Sequence, residues 1–301
     1  MINPMRRLFF IAGLSAVLVC SAYAQNNQIS TVSVLDFGAT PFAQKTAEKL
    51  RAELRSRDQF QIADADQTRA AAKGIGYGGS LNLTVSEARD LGAALATDFY
   101  ILGDAQTLRR SSFARSVYYE SYCSIFLVNS RTGELILWER PNLQSDRAAE
   151  TEDRLWSEMI NAGIPGRVAL QIRRAQIRAQ KERVERAEAT QKFEPMIEEA
   201  PDDEKAAEAQ GVRLPRPYLR MRPDYPDTAA RAEAEATVDV LVDVQADGEV
   251  GRVQVARWAG FGLDEITVAT VRKMHFFPAM KNGSPIAMRV LLRYNFRKSP
   301  R

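Results

Sequence analysis

Apolar and polar positions alternate most clearly in the last predicted element of the chain, residues 286–296. The even-numbered positions, from Ile286 to Phe296, are all apolar, and most of the odd-numbered positions between them are polar. This period of two is typical of a strand with one buried face. Because it is the last strand of the sequence, we expect its outer edge to be free to accept an extended peptide. The predicted partner-binding positions along this edge are Ala287, Arg289, Leu291, Arg293 and Asn295.

The residues before this strand predict a small antiparallel sheet with one packed helix. Asp247-Gly248 lies between two alternating segments and indicates a hairpin turn in which both residues have a positive φ. Apolar positions at helical spacing between residues 263 and 274 predict a helix. Phe277-Pro278 should end that helix, because the residue before a proline avoids the α region. Asn282-Gly283 indicates a turn into the final strand.

Several short motifs accompany these elements. Pro223-Asp224-Tyr225-Pro226 is followed, after two further residues, by two alanines. Three more motifs come later in the chain: the Asp247-Gly248 turn, residues 277–279 and residues 282–285. With these motifs, residues 223–296 resemble the C-terminal domain of the TonB energy-transducer family. The resemblance implies a domain over residues 215–301 that docks peptides of envelope proteins, among them outer-membrane TonB-dependent receptors. The motif positions with a structural role are Tyr225, Pro226, Gly248, Pro278, Asn282 and Gly283.

The first half of the chain predicts an α/β domain over residues 29–165. Strands are predicted at residues 31–37, 60–63 and 98–103, and a hairpin joins residues 116–128 to 134–138. Helix signals are the four-residue apolar spacing in residues 41–57 and a capping box formed by Thr84 and Glu87. The segments 34–37, 98–103 and 132–134, together with the helix around Leu50 and Leu54, resemble the periplasmic domain shared by the TolB N-terminus and the CsgG family. This resemblance implies a domain that recognises other envelope proteins.

A charged segment, residues 166–214, separates the two predicted domains. Its first part is basic with helical spacing, and after residue 193 it becomes acidic around a proline, which predicts a flexible linker. The basic part could contact anionic lipid or the acidic part, and the simpler interpretation is a solvated helix face. The whole chain is thus predicted to be α+β, with an N-terminal α/β domain, a charged helical linker and a small C-terminal antiparallel sheet carrying one helix.

The N-terminal residues 1–24 are predicted to be a signal peptide. Arg6-Arg7 precedes an apolar stretch, and Ala22-Tyr23-Ala24 is a cleavage site of the A-x-A type, with Ala22 and Ala24 as the small residues. Export to the periplasm follows from this interpretation. The alternative is an uncleaved inner-membrane anchor over residues 8–24, which would be the chain's one contact with a membrane.

Candidate catalytic chemistry is sparse. The sequence has one histidine, His275, and Cys123 is the one cysteine beyond the predicted signal peptide, so a metal centre is not predicted. The glycine-rich segment 74–79 lacks the Lys-Ser/Thr of a phosphate loop and reads as a connection. Asp239 and Asp243 read as solvated carboxylates on an exposed strand face. We therefore expect no enzyme and no cofactor.

Two functions remain open at this stage. The net charge of +3 is too small to indicate nucleic-acid binding. The first hypothesis is an envelope protein that binds partners by strand addition to its C-terminal domain, with TonB-dependent transport across the outer membrane as the process that the resemblance implies. The second is a periplasmic assembly or regulatory adaptor acting mainly through its first domain. An open sheet edge would also permit a homodimer.

Overall fold

A computed structural model describes residues 29–57, 59–188, 197–201 and 203–298 of the 301-residue chain. The predicted signal peptide, residues 1–24, lies outside the described residues. In the first part the elements are, in chain order, β1 (Ser30–Val34), α1 (Pro41–Arg55), β2 (Phe60–Ile62), α2 (Ala65–Gly74), α3 (Val85–Leu95), β3 (Phe99–Arg110), β4 (Tyr118–Asn129), β5 (Leu135–Glu139), β6 (Asn142–Ser145), α4 (Ala148–Asn161) and α5 (Ile164–Glu188). In the second part they are β7 (Glu198–Glu199), α6 (Glu204–Ala209), β8 (Val212–Arg213), β9 (Arg216–Pro217), α7 (Asp227–Ala232), β10 (Ala236–Val244), β11 (Val250–Arg257), α8 (Leu263–Val271), β12 (Phe276–Phe277), β13 (Ala279–Lys281), β14 (Ser284–Ile286) and β15 (Met288–Phe296).

The first sheet has the strand order β2-β1-β3-β4-β5, and β6 also pairs with β4. β1 is parallel to both of its neighbours, whereas β4 is antiparallel to its neighbours β3 and β5. The hairpin predicted across residues 129–133 is confirmed by the β4–β5 pairing. The predicted capping box is also confirmed, because Thr84 Oγ1 accepts from the Glu87 amide and the Glu87 carboxylate accepts from the Thr84 amide.

Helices cover both faces of the first sheet. On one face α1, α4 and α5 bury side chains such as Leu50, Met159 and Ile172. On the other face α3 contributes Leu91 to a second core. Helix α5 therefore lies on the first domain, although its residues were predicted to belong to a linker. Its apolar positions at helical spacing are the ones that reach the core.

The second sheet has the order β11-β10-β15-β7, and helix α8 packs on one of its faces. The α+β fold class is confirmed. One detail of the predicted hairpin turn is wrong, because only Gly248 has a positive φ, +88°, and Asp247 does not. The loop is longer than two residues, as the amide of Gln245 donates to the carbonyl of Glu249 at 2.9 Å. A longer loop with one left-handed glycine replaces the two-residue turn.

Residues 197–201 and 203–217 pack along the second sheet, where the sequence predicted a flexible acidic linker. β7 pairs with β15, β8 with β13 and β9 with β12. Ala207 and Val212 are buried against Ala279 and Met288. Two short apolar side chains and a few main-chain hydrogen bonds thus hold a segment whose acidic composition gave no sign of a packed face.

Candidate partner-binding site

The predicted edge strand forms as expected, and its inner side is fully paired. β15 is antiparallel to β10 along its whole length, from Met288 opposite Val244 to Phe296 opposite Ala236. The even-numbered side chains face the core: Met288 and Phe296 are buried, and those between them are packed against it. The odd-numbered side chains lie on the opposite face of the sheet. Ala287 lies just before the strand, between β14 and β15.

Two ion pairs cover that opposite face. Arg289 donates to Asp243 through Nε at 2.6 Å and Nη2 at 3.0 Å, and Arg293 donates to Asp239 at 2.7 and 2.9 Å. These hydrogen bonds raise the pKa of both arginines. Arg257 makes a further, longer contact of 3.4 Å with Asp239. The face is therefore a ladder of bidentate pairs between neighbouring strands.

The prediction that Asp239 and Asp243 are solvated is wrong. Their residues are only 3% and 4% exposed, because the long arginine side chains of β15 lie over them. A signal was available in the sequence. Two aspartates four residues apart on one strand and two arginines four residues apart on its antiparallel neighbour meet as pairs once the register is known.

The outer side of β15 is open along only part of its length. Glu198 and Glu199 of β7 pair in parallel with Met288 and Arg289. Within the described residues, nothing pairs with that side over residues 290–296. Side chains in a strand alternate, and so do main-chain polar groups. The main-chain carbonyl of Arg289 points toward β7, where it accepts from the amide of Ala200. Leu291, Arg293 and Asn295 follow at intervals of two residues, so their N–H and C=O groups point the same way and face the open edge.

The family-motif residues hold the turns around this sheet. The Tyr225 hydroxyl donates to the carbonyl of Ala234 at 2.6 Å, and Pro226 stands at the N-cap of α7. A Cβ on Gly248 would lie 2.0 Å from the carbonyl oxygen of Phe276, so this position requires glycine. The remaining motif residues lie in the turns that lead into β13 and β14: Pro278, Asn282 with φ +51° and Gly283 with φ +83°.

The second domain inserts a loop into the first. This insertion loop, residues 258–261, follows β11 and carries Trp258, which is 2% exposed and belongs to the core beneath α3. The Trp258 ring stacks on Phe126 with 5.9 Å between centroids, and its Nε1 donates to the carbonyl of Gly133 at 3.0 Å. Phe261 meets the Phe126 ring edge-on at 5.6 Å. Trp258 therefore packs in the core of the first domain, although it belongs to the second.

Asn82 joins the two domains through its amide. Its Nδ2 donates to the carbonyls of Thr237 and Trp258 at 2.9 and 2.6 Å, and its Oδ1 accepts from the Thr237 amide at 3.1 Å. Arg257 returns a hydrogen bond of 3.0 Å to the Asn82 carbonyl. A single side chain thus satisfies main-chain groups at the start of β10 and in the insertion loop, which ties the two domains together.

One carboxylate holds the insertion loop from within the second domain. Asp264, at the start of α8, accepts from the amides of Ala259 and Gly260, both at 2.8 Å. Burial raises the pKa of Asp264 to about 7, against the lowering effect of these two hydrogen bonds. The carboxylate that accepts from the insertion loop is therefore a buried titratable group.

The candidate chemical residues do not converge on a reactive centre. His275 is exposed, and its Nδ1 lies 2.9 Å from a Glu249 carboxylate oxygen. Cys123 is fully buried in the first core, where burial raises the pKa of its thiol.

Gly78 and Gly79 line an open cleft of about 730 Å³ beside Asp36. Burial alone would raise the pKa of Asp36, but hydrogen bonds from two arginines hold this pKa below its usual value. In the described part of the chain, no group of three histidine, cysteine or acidic residues is placed to hold a metal ion. The same residues include no helix that is both long and apolar enough to cross a membrane.

Comparison with known proteins gives one family match. Residues 221–297 match the family model described as the Gram-negative bacterial TonB protein C-terminal. The comparison with curated proteins gives no match. The resemblance of the first domain to the TolB N-terminus and the CsgG family stays a prediction.

Several solved structures show similarity to the chain, among them the following three. The TonB CTD of Pseudomonas aeruginosa is 24% identical, and the match covers 29% of this chain and 89% of that one with a TM-score of 0.26. The LpoB C-terminal domain from Salmonella enterica is 19% identical over 39% and 84%, with a TM-score of 0.29. The hypothetical protein CT253 from Chlamydia trachomatis is 12% identical over 46% and 97%, with a TM-score of 0.33. By its family match, the part of the chain from residue 221 to residue 297 is a TonB C-terminal domain.

Proposed function

We propose that this chain is a non-enzymatic cell-envelope protein that binds partner proteins by β-strand addition to its C-terminal domain. The observation that carries the proposal is the open outer edge of β15 over residues 290–296, in a domain that matches the TonB C-terminal family. Main-chain N–H and C=O groups of such an edge pair with any extended peptide, and the side chains around it select among peptides. The proposed class of partner is the TonB-dependent receptors of the outer membrane. The proposed location of the chain is the periplasm, which it would reach by export.

The second candidate is an adaptor that acts mainly through its first domain. The inserted Trp258 and the Asn82 hydrogen bonds favour it, because they fix the C-terminal domain to the first domain instead of leaving it on a free tether. In this case the C-terminal domain would present the first domain to a partner. Loss of partner binding on removal of the first domain, with the β15 edge intact, would favour the adaptor.

Leu291 is the best position at which to test strand addition. Its residue is 52% exposed, and its N–H faces the open edge. A proline there removes one main-chain donor from the edge, which an edge strand tolerates structurally. Arg289 and Arg293 are worse choices, because their replacement also leaves the buried Asp243 or Asp239 without its bidentate partner.

The experiment compares full-length wild-type, Leu291→Pro and Leu291→Ala proteins as bait in Gram-negative envelope extracts. We expect an envelope protein that is captured by the wild type and by Leu291→Ala and is lost with Leu291→Pro, because alanine keeps the N–H. Circular dichroism of the three proteins provides the folding control. Capture of the same protein by a folded Leu291→Pro variant would refute strand addition at this edge.

A mass-spectrometric test addresses the proposed location. Cleavage after Ala24 should leave a mature chain that begins at Gln25 in the periplasmic fraction. A chain that keeps residues 8–24 and stays in the membrane fraction would instead support the anchored alternative.

A further inference from the structure

The first part of the proposed binding edge is already occupied by the chain's own residues 198–200. Glu198 and Glu199 lie opposite Met288 and Arg289 in parallel register. The amide of Ala200 donates to the carbonyl of Arg289 at 2.8 Å. These residues therefore use the same main-chain groups that an incoming peptide strand would use.

An ion pair fixes the register of this internal strand. Lys281, on β13, donates through Nζ to both carboxylate oxygens of Glu198, at 2.9 and 2.8 Å. Both side chains are only partly exposed, at 37% and 43%. Lys281 lies beside the edge on a separate strand. Its ammonium group therefore attracts an acidic side chain, and repels a basic one, in whichever strand pairs with the start of β15.

The internal strand is anchored from one side only within the described residues. After Pro201, Asp203 caps α6 through the amide of Ala206 at 2.7 Å, and Ala207 is buried against the sheet. The pairing itself spans two residues and ends before residue 290. A two-residue strand is a local, low-stability element that can detach without unfolding the sheet.

We propose that residues 198–200 are a built-in competitor for the peptide-binding edge, and that the edge prefers an extended peptide with a carboxylate at the position of Glu198. This proposal rests on the proposed function. A partner strand that pairs with the whole of β15 must first displace the internal strand. An acidic residue in the partner then restores the ion pair with Lys281, whereas a basic residue there meets a like charge.

The internal strand has the advantage of being attached to the site. A segment that belongs to the same chain as its binding site acts at an effective concentration on the order of millimolar. The same sequence offered as a free peptide at micromolar concentration should therefore fail to bind the wild-type protein. It should bind once the internal strand has been released.

The test uses the full chain and a fluorescent peptide with the sequence of residues 195–201. Ala200→Pro removes the N–H that donates to Arg289, whereas Glu199→Pro serves as the matched control, because in a parallel pair centred on Glu199 its own N–H points away from β15. We expect Ala200→Pro to bind the peptide at least about 10-fold more tightly than the wild type and the control, given the tethering advantage. A peptide with lysine in place of Glu198 should bind Ala200→Pro more weakly than the original.

Hydrogen exchange over residues 287–291 reports release directly, and it should be faster in Ala200→Pro than in the control. Unchanged exchange, or equal peptide binding by all three proteins, overturns the proposal. Faster exchange without peptide binding by Ala200→Pro overturns it as well. The proposed function is decided separately by the Leu291 variants, since loss of capture with Leu291→Pro would stand even if residues 198–200 were no competitor.

Discussion

Replacing Trp258 by alanine should uncouple the two domains. The side chain comes from the second domain but is buried in the core of the first, where it stacks on Phe126 and donates to the carbonyl of Gly133. Its removal leaves a cavity between the domains, whereas the two sheets keep their own hydrogen bonds. The effect should therefore fall on the interface and not on either fold.

The magnitude follows from the buried area. A tryptophan side chain buries roughly 150–250 Å², which at about 25 cal/mol per Å² corresponds to roughly 4–6 kcal/mol. Measured truncations of large aromatic residues cost about 3–5 kcal/mol, which agrees with this range. Trp258→Phe keeps most of the stacked area but leaves the Gly133 carbonyl without its hydrogen-bond donor. We therefore expect it to lower the free energy of unfolding by about 1–3 kcal/mol.

Urea unfolding of the full chain measures the uncoupling. In Trp258→Ala the two remaining tryptophans, Trp138 and Trp156, both belong to the first domain, so fluorescence follows the unfolding of that domain, and Trp138 also responds to loss of its contact with Phe261 of the insertion loop. Circular dichroism reports both domains. We expect the two probes to give one midpoint in the wild type and separate midpoints in Trp258→Ala, with Trp258→Phe in between. If fluorescence and circular dichroism of Trp258→Ala give one midpoint, at the same urea concentration as in the wild type, then this side chain does not couple the two domains.

Two further predictions concern Asp264 and Gly248. The pKa of Asp264, raised to about 7 by burial, lies above its unfolded value near 4. The folded state therefore binds the extra proton, and stability should fall as the pH rises from about 4 to 7. In Asp264→Asn the urea midpoint should decrease less between about pH 4 and pH 7 than in the wild type. An equal decrease in both proteins would show that other groups cause the pH dependence. Gly248→Ala should cost at least about 2 kcal/mol, because a positive φ and a collision with the Phe276 carbonyl add together. Gly283→Ala, with a similar φ but open space around its Cβ, is the matched control and should cost only about 1 kcal/mol; equal losses in thermal unfolding would contradict the collision.

Local patterns predicted the elements of this fold well. The Thr84 capping box, the β4–β5 hairpin and the final strand each depend on a few neighbouring residues, and the structure confirms them. In these cases the chemistry that decides the conformation lies within one turn or one strand.

Contacts between distant segments could not be predicted in the same way. The burial of Asp239 depends on the register between β10 and β15, which single-strand alternation does not specify. Trp258 looks like any core aromatic, and nothing in its neighbourhood says which core it enters. The pairing of Glu198 with the edge runs against its charge pattern, since acidic segments more often remain solvated. The partner-binding role of Leu291, Arg293 and Asn295 stays a prediction.

The insertion loop also has a consequence for the behaviour of a partly folded chain. When the first domain has folded and the second has not, the core beneath α3 lacks the indole ring of Trp258. The aromatic rings of Phe126 and Trp138 have then lost their contacts with the insertion loop, which leaves them open to association with another chain. Folding of the second domain covers these rings again. A chain that is cut before residue 258 should accordingly aggregate more readily than the full chain.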